Sequence, residues 1–340
     1  MPAEWPIAAP PPRQHPHRPS LAFPASEGRR IAAVVQDLFL APDDRLTEQE
    51  RSVMAVMLHG LIERIAIELR VRLSAEAAAD CTASPAELIA DLTRAGLIQD
   101  EMLIRLLLRR ADGQRIASAG RGGRSTLQRW TAVEDADIAA AAMTLIAARG
   151  RGRDRFGRVA LDLPDLPAAL ATGLVVAIGA ALALRCQNPS DAEMADAISD
   201  LLSSRFETPS LEQLEGALAD ALGGDGRREP GLLMTLAEEG DAQILAAILA
   251  AEACIPADEA WSALLGGPDR IALLLRLAGA PRPEVAALLA AAGPALGIGD
   301  PVRAIDAFDA MSNDTVEAAR AELALPGAYR NARRIIGRRG

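Results

Sequence analysis

The chain has 340 residues, half of them hydrophobic but only nine aromatic, with a net charge of −10. That length has room for two ordinary domains and a sizeable core, and the apolar content is carried by Ala and Leu, which favour helix. All 36 basic residues are Arg, and the three cysteines, Cys81, Cys186 and Cys254, match no metal-ligand spacing.

Residues 1–26 are rich in Pro, carry His15 and His17, and lack the apolar run of a signal peptide. They read as a disordered tail, because a Pro-rich chain cannot build a core alone. Thr47-Glu48-Gln49-Glu50 then has the pattern of a capping box, followed by an i, i+4 row of Val53, Met57, Leu61, Ile65, Leu69 and Leu73. This predicts a long amphipathic helix, on which His59 is expected to be structural. Ser84-Pro85-Ala86-Glu87 repeats the start signal with Pro at the first helical position. Ser190…Glu193, Ser210…Gln213 and Asp314…Glu317 are further starts.

Between Arg105 and Arg158 there are twelve Arg against five acids. Glycines interrupt this block, and Arg149-Gly150-Arg151-Gly152-Arg153 offers no apolar face. Its part from Arg121 to Arg158 is expected to be an exposed, mobile excursion between two helical bodies, with a helix over 135–148 whose Ile138, Met143 and Ile146 face inward. Arg121, Arg124, Arg149, Arg151, Arg153 and Arg155 are the candidate interaction surface.

Residues 166–184 carry no charge and are just long enough to span a bilayer. The soluble reading is preferred. Asp162, Pro164, Asp165 and Pro167 resemble a capped entry, and the large residues form one row (Leu166, Leu170, Leu174, Ile178, Leu182). Ala169, Gly173, Ala177 and Ala181 form a small-residue row that lets a neighbour approach closely. From Pro189 to Leu325 the balance turns acidic, with 24 acids against eight Arg. Within it, Ile248-Leu249…Pro256…Glu259…Leu264 recurs 25 residues later as Leu273-Leu274…Pro281…Glu284…Leu289. Stacked helices are implied.

The expected fold is all-α, built of stacked helical hairpins of HEAT-like or irregular type. The expected divisions are a tail (1–26), an N-terminal helical region with Arg/Gly-rich loops (27–160), an acidic C-terminal helical region (161–328) and a basic tail (329–340). The cysteines read as small buried hydrophobes of a cytoplasmic protein.

Three stretches resemble an uncharacterised alphaproteobacterial family, a domain of unknown function with HEAT-like helical repeats. They are Leu46-Thr47-Glu48-Gln49-Glu50-Arg51 leading through Leu69-Arg70-Val71-Arg72-Leu73, then Asp165-Leu166-Pro167 with its helix to Leu184-Arg185, and Leu245-Ala246-Ala247…Ile255-Pro256…Trp261…Leu264-Leu265. The resemblance spans about residues 45 to 325, with the stretch from Gly113 to Gly157 departing from it. It implies a soluble helical protein and supplies no catalytic residue.

Gly120-Arg121-Gly122-Gly123-Arg124-Ser125-Thr126 resembles a phosphate-cradling turn, but has Arg124 where a P-loop needs Lys and Ser118 where it needs Gly. No His-Glu-x-x-His or Gly-x-Ser-x-Gly occurs. No catalytic, cofactor-binding or metal-binding residue is therefore expected. The expected function is a non-enzymatic helical scaffold or adaptor with a protein partner. The alternatives are nucleic-acid binding through the Arg-rich block and membrane association through residues 166–184 or the basic C-terminus.

Overall fold

The computed structural model describes residues 46–81, 83–120, 125–154, 156–186, 191–205, 208–223 and 229–337. Among them there are helices, turns and one isolated bridge, Arg153 to Val159, with no strand. The all-α reading holds. The tail over 1–26 lies outside the described residues.

Helix α1 (Glu48–Val71) starts directly after Thr47 and buries Met57, Leu61, Ile65 and Leu69 as its sequence row predicts, with Leu73 just beyond it also buried. His59 stands on its exposed side. Helices α2 (Ala75–Asp80), α3 (Pro85–Arg94) and α4 (Glu101–Ala119) follow. The capping box at α3 is complete: Glu87 N–H donates to Ser84 Oγ at 3.4 Å, and Ser84 N–H donates to Glu87 Oε2 at 2.9 Å. This satisfies two amides that the helix start leaves free.

Helices α5 (Thr126–Trp130) and α6 (Ala136–Arg151) come from the Arg-rich block. They are not a mobile excursion. Leu127, Trp130, Ala142, Leu145 and Ala148 are buried in the main core. Met143 and Ile146, expected to face inward, are 54% and 36% exposed. The buried stripe runs through Ala142, Leu145 and Ala148, because small residues let α6 lie closer to its neighbours than the larger side chains would.

The uncharged segment forms a 3₁₀ turn (Leu163–Asp165) and α7 (Ala168–Ala183), which is 16 residues long. No helix among the described residues is long and apolar enough to cross a membrane. The large-residue row packs inward, with Leu166, Leu174, Ile178 and Leu182 buried. The small-residue row does not mediate the closest approach, for Ala169 and Gly173 are exposed. That approach is at Gly179, where a Cβ would lie 2.6 Å from Ile198 Cδ1 on α8 (Asp191–Arg205).

The remaining helices are α9 (Leu211–Gly223), α10 (Leu232–Glu239), α11 (Ala242–Ala253), α12 (Ala257–Leu264), α13 (Pro268–Leu277), α14 (Arg282–Ala292), α15 (Pro301–Ala310), α16 (Asn313–Leu323) and α17 (Gly327–Gly337). Ser210 and Gln213 form the expected reciprocal pair at the start of α9. At α16 the cap is Ser312, which accepts from Thr315 N–H, so the helix begins before the predicted Asp314.

The apolar side chains form two principal clusters. One joins α1, α3 and α4 to Leu161, α7 and α8, and the other joins α5, α6 and α9 through α15. The two clusters do not follow the division expected at residue 160. Charge is a property of the surface, whereas core membership follows the apolar faces, and these send residues 161–201 back to the N-terminal helices. By its contacts Glu48–Gly340 is one compact unit. The expected basic tail is entered by α17, while residues 338–340 lie outside the described ones.

The cysteine reading is also corrected. Cys81 and Cys186 are bonded, with Cα atoms 4.9 Å apart, and Cys254 is exposed. The bond ties the loop after α2 to the end of α7. Nearby, Arg185 pairs with Asp91 at 2.7 Å and Glu87 at 3.2 Å, joining the same end of α7 to α3.

The 25-residue repeat becomes two successive helix pairs, α11–α12 and α13–α14. Pro256 and Pro281 precede the second helix of each, with ψ of 143° and 142°. The ends of α11 and α13 match as well. Ile255 N–H donates to Ala250 O at 3.0 Å, and Ala280 N–H donates to Leu275 O at 3.0 Å. Both closures need a left-handed residue. Gly279 supplies it at φ 68°, but its counterpart is Cys254 at φ 54°, the one non-glycine with positive φ among the described residues.

A left-handed L-residue costs about 1–2 kcal/mol, part of which glycine offsets by its larger loss of chain entropy. Cys254→Gly is expected to raise unfolding stability by about 0.5–1 kcal/mol in urea titration. Gly279→Ala should lower it by a similar amount. Equal midpoints for the wild type and Cys254→Gly would show that residue 254 relaxes out of this conformation in solution.

Candidate functional site

The C-terminal half of α4, the end of α6, the start of α9 and the α10–α11 turn converge on a cleft of about 380 Å³. Gly240 makes this convergence possible. A Cβ there would lie 2.7 Å from Ile116 O on α4, and its φ is 76°. Arg149 reaches the cleft from the last turn of α6. It donates from Nη1 to Asp241 Oδ2 at 2.7 Å and from Nη2 to Asp241 Oδ1 at 2.9 Å, a two-pronged contact. A further bond from Nη2 reaches Glu215 Oε1 at 3.4 Å. Asp241 Oδ1 also accepts from Ile244 N–H at 3.3 Å, so the carboxylate that holds α6 also caps α11.

Glu215 is 2% exposed. Burial pushes its carboxyl above the usual range, against the opposing pull of Arg149, Arg110 and Arg109. Burial alone would weaken Arg149 as a base, but the Asp241 and Glu215 carboxylates together outweigh it and keep the guanidinium charged. On the same wall, Arg110 is 5% exposed and pairs with Asp165 at 3.3 Å. Asp165 in turn accepts from Leu211 N–H at 3.0 Å, at the start of α9. Gln114 Oε1 is buried here without a hydrogen-bond partner.

The start of α5 is already occupied by a carboxylate. Glu239, at the end of α10, accepts from Thr126 N–H at 2.8 Å and from Thr126 Oγ1 at 2.7 Å. An anion favoured by a helix start is thus supplied by the protein itself.

A second cleft of about 280 Å³ is lined by Arg64, Arg72, Arg151 and Arg205, with Glu68 and Asp162 among them. Arg64 pairs with Asp162 at 3.1 Å, and Arg72 with Glu68 at 2.6 Å and Asp200 at 2.9 Å. Arg205 donates to the carbonyls of Leu163 and Leu166.

The six candidate arginines therefore separate. Arg149 is no part of an exposed surface, because its charge is spent inside the fold. Arg151 and Arg153 are exposed. Arg153 donates to Gly157 O at 2.7 Å, within a turn where Asp154 Oδ1 accepts from Phe156 and Arg158 N–H, both at 2.8 Å. Arg121, Arg124 and Arg155 lie outside the described residues. No group of three or more His, Cys, Asp or Glu that could hold a metal ion occurs among the described residues.

Sequence reasoning missed the partners of Arg149. One signal was present: Leu211, Glu215, Leu218 and Leu222 form a helical row with a carboxylate in its middle, and all four are buried. A charge on a buried face requires a partner of opposite sign.

A family model covers residues 116–323, from the last turn of α4 to the end of α16. The chain belongs to the DUF2336 family. That family is described as an uncharacterised protein conserved in bacteria. Its match includes the Arg-rich helices and Arg149, Glu215 and Asp241, whereas Arg110 and helices α1–α3 precede it. No curated protein and no solved structure matches the chain.

Breaking a buried ion pair by removing one partner costs about 3–5 kcal/mol. Arg149→Ala is expected to lose about 3 kcal/mol or more of unfolding stability, whereas Arg151→Ser should stay within about 0.5 kcal/mol of wild type. Equal losses in chemical denaturation would contradict the separation of these arginines. Glu215 adds a pH dependence. As pH rises, the unfolded chain ionises Glu215 first while the folded carboxyl holds its proton, so its contribution to stability falls. Glu215→Gln should gain on the wild type as pH rises through and above the ordinary glutamate range. A stability difference that is constant over this range would show an ordinary carboxyl.

Proposed function

We propose that this member of the DUF2336 family is a non-enzymatic helical scaffold that docks a partner protein on the outer face of α7. The carrying observation is that face: Ala169, Thr172, Gly173, Val176, Ala180 and Leu184 run along it, all exposed and all uncharged. Val176 is 46% and Leu184 is 89% exposed. The opposite face supplies the core, so α7 is apolar all round but covered on one side only. Small residues along the exposed row would let a partner helix approach closely, and apolar anchors in such a groove carry most of the affinity.

The charged clefts support the same reading, because Arg149, Arg110, Arg64 and Arg72 are all engaged with carboxylates of the chain. They brace helices together. A nucleic-acid or membrane partner is not part of the proposal, since the acidic second half would repel a polyanion. A cytoplasmic site is part of it, and there the Cys81–Cys186 pair would be exposed to reduction. Differential alkylation of the native cell should therefore find these thiols reduced, and a fully oxidised pair would refute the cytoplasmic assignment.

The docking face is tested by quantitative capture from native cell extract with wild type and Val176→Glu/Leu184→Glu as bait. A partner recovered with wild type should bind the double variant at least about tenfold more weakly, a loss of about 1.4 kcal/mol. Equal recovery, or binding of nucleic acid alone, would overturn the proposal.

A further inference from the structure

Helix α6 carries a second uncovered face. Its buried side is Ala142, Leu145 and Ala148. The side opposite is Ala136, Ala140, Met143 and Ala147, all exposed, spaced four, three and four residues apart as in a helix–helix seam. Ile146 at 36% and Met143 at 54% exposure are the large apolar groups on it.

One flank of this seam bears charge in a definite order. Asp137, Thr144 and Arg151 are spaced by seven residues and so lie along one strip of the helix. The acid stands at the N-terminal end and the base at the C-terminal end, each seven residues, or about 10 Å, from Thr144. Neither Asp137 nor Arg151 has an ion-pair partner among the described residues.

We propose that two copies of this chain pair through α6 in antiparallel orientation, about a twofold axis beside Met143 and Thr144. An antiparallel twofold brings the charged strip of one helix against the same strip of the other, in reverse order. Asp137 of each copy then faces Arg151 of the second copy, giving two equivalent ion pairs. A parallel pairing about a twofold along the helices would put the two charged strips on opposite sides of the seam, so neither Asp137 nor Arg151 would meet its complement. Between the ion pairs, Met143 of both copies fills the centre, and Ala140 and Ala147 allow the backbones to approach. The order of charges therefore selects the second copy and its direction, which an unordered apolar face would not do. Arg151 acquires a role as one half of a self-complementary surface.

One helix from each copy makes a small interface, so the dimer is expected to be weak, dissociating at about 10–100 µM. The inference rests on α6 and is independent of the docking face on α7.

Sedimentation velocity of the full chain over about 1–300 µM is the test. The wild type should shift from monomer to dimer across this range. Asp137→Arg and Arg151→Asp should each weaken the dimer at least about tenfold, and Met143→Glu should leave a monomer. The double exchange Asp137→Arg/Arg151→Asp should restore the dimer, which a variant that merely damages the helix could not do. Val176→Glu/Leu184→Glu should dimerise like wild type. A chain that is monomeric throughout, a dimer indifferent to the α6 changes, or failure of the double exchange to restore it would overturn the proposal. So would a dimer lost only with the α7 changes.

Discussion

The contact on which the rest of the central cleft depends is the two-pronged bond from Arg149 to Asp241. It holds the end of α6 against the start of α11, and its carboxylate caps α11 at the same time. Glu215 contacts the guanidinium from a third helix, α9. Three elements far apart in sequence are thus fixed by one planar cation. Such an arrangement contributes less through attraction than through what it forbids. With Arg149 removed, Asp241 and the buried Glu215 would both lose their cation.

This economy explains why the most basic part of the sequence is not a basic surface. Arg149 serves the interior, Arg110 is bound to Asp165, and Arg153 closes a short turn. The glycines that suggest a mobile segment serve closure as well, with Gly157 at φ 75° turning the chain back on itself. The free charge that remains on α6 is sparse and ordered.

Much of the fold is legible in the sequence where one element decides its own fate. The row from Met57 to Leu73 and the Ser84 box depend on local spacing, and local spacing is what a sequence displays. The uncharged segment at 166–184 is resolved by the same means, through its large-residue row. What escaped is non-local. Charge composition drew a boundary at residue 160 that the apolar faces of α7 do not respect. The inward face of α6 was misassigned because its small residues, Ala142 and Ala148, are the buried ones and its large Met143 is outside. Alanine carries little hydropathic signal, and only the approach of α9 decides which alanines are covered. The pairing of Arg149 with Asp241, 92 positions away, had no local trace. Glu215 did leave one, as a charge inside an apolar row.

The order in which the two clusters receive the chain also bears on how the protein folds. Residues 54–111 begin the first cluster, 127–148 enter the second, 161–201 return to the first, and the rest completes the second. Neither cluster can close from a continuous stretch of chain. On a ribosome, α1, α3 and α4 must wait with their leucines uncovered until α7 and α8 have emerged. Such non-local closure slows folding and lengthens exposure of apolar surface. The family match begins at residue 116, so a fragment cut to it would carry α7 and α8 without the helices that cover them. The N-terminal helices are in this sense an in-built partner of the family domain, supplied first and used late.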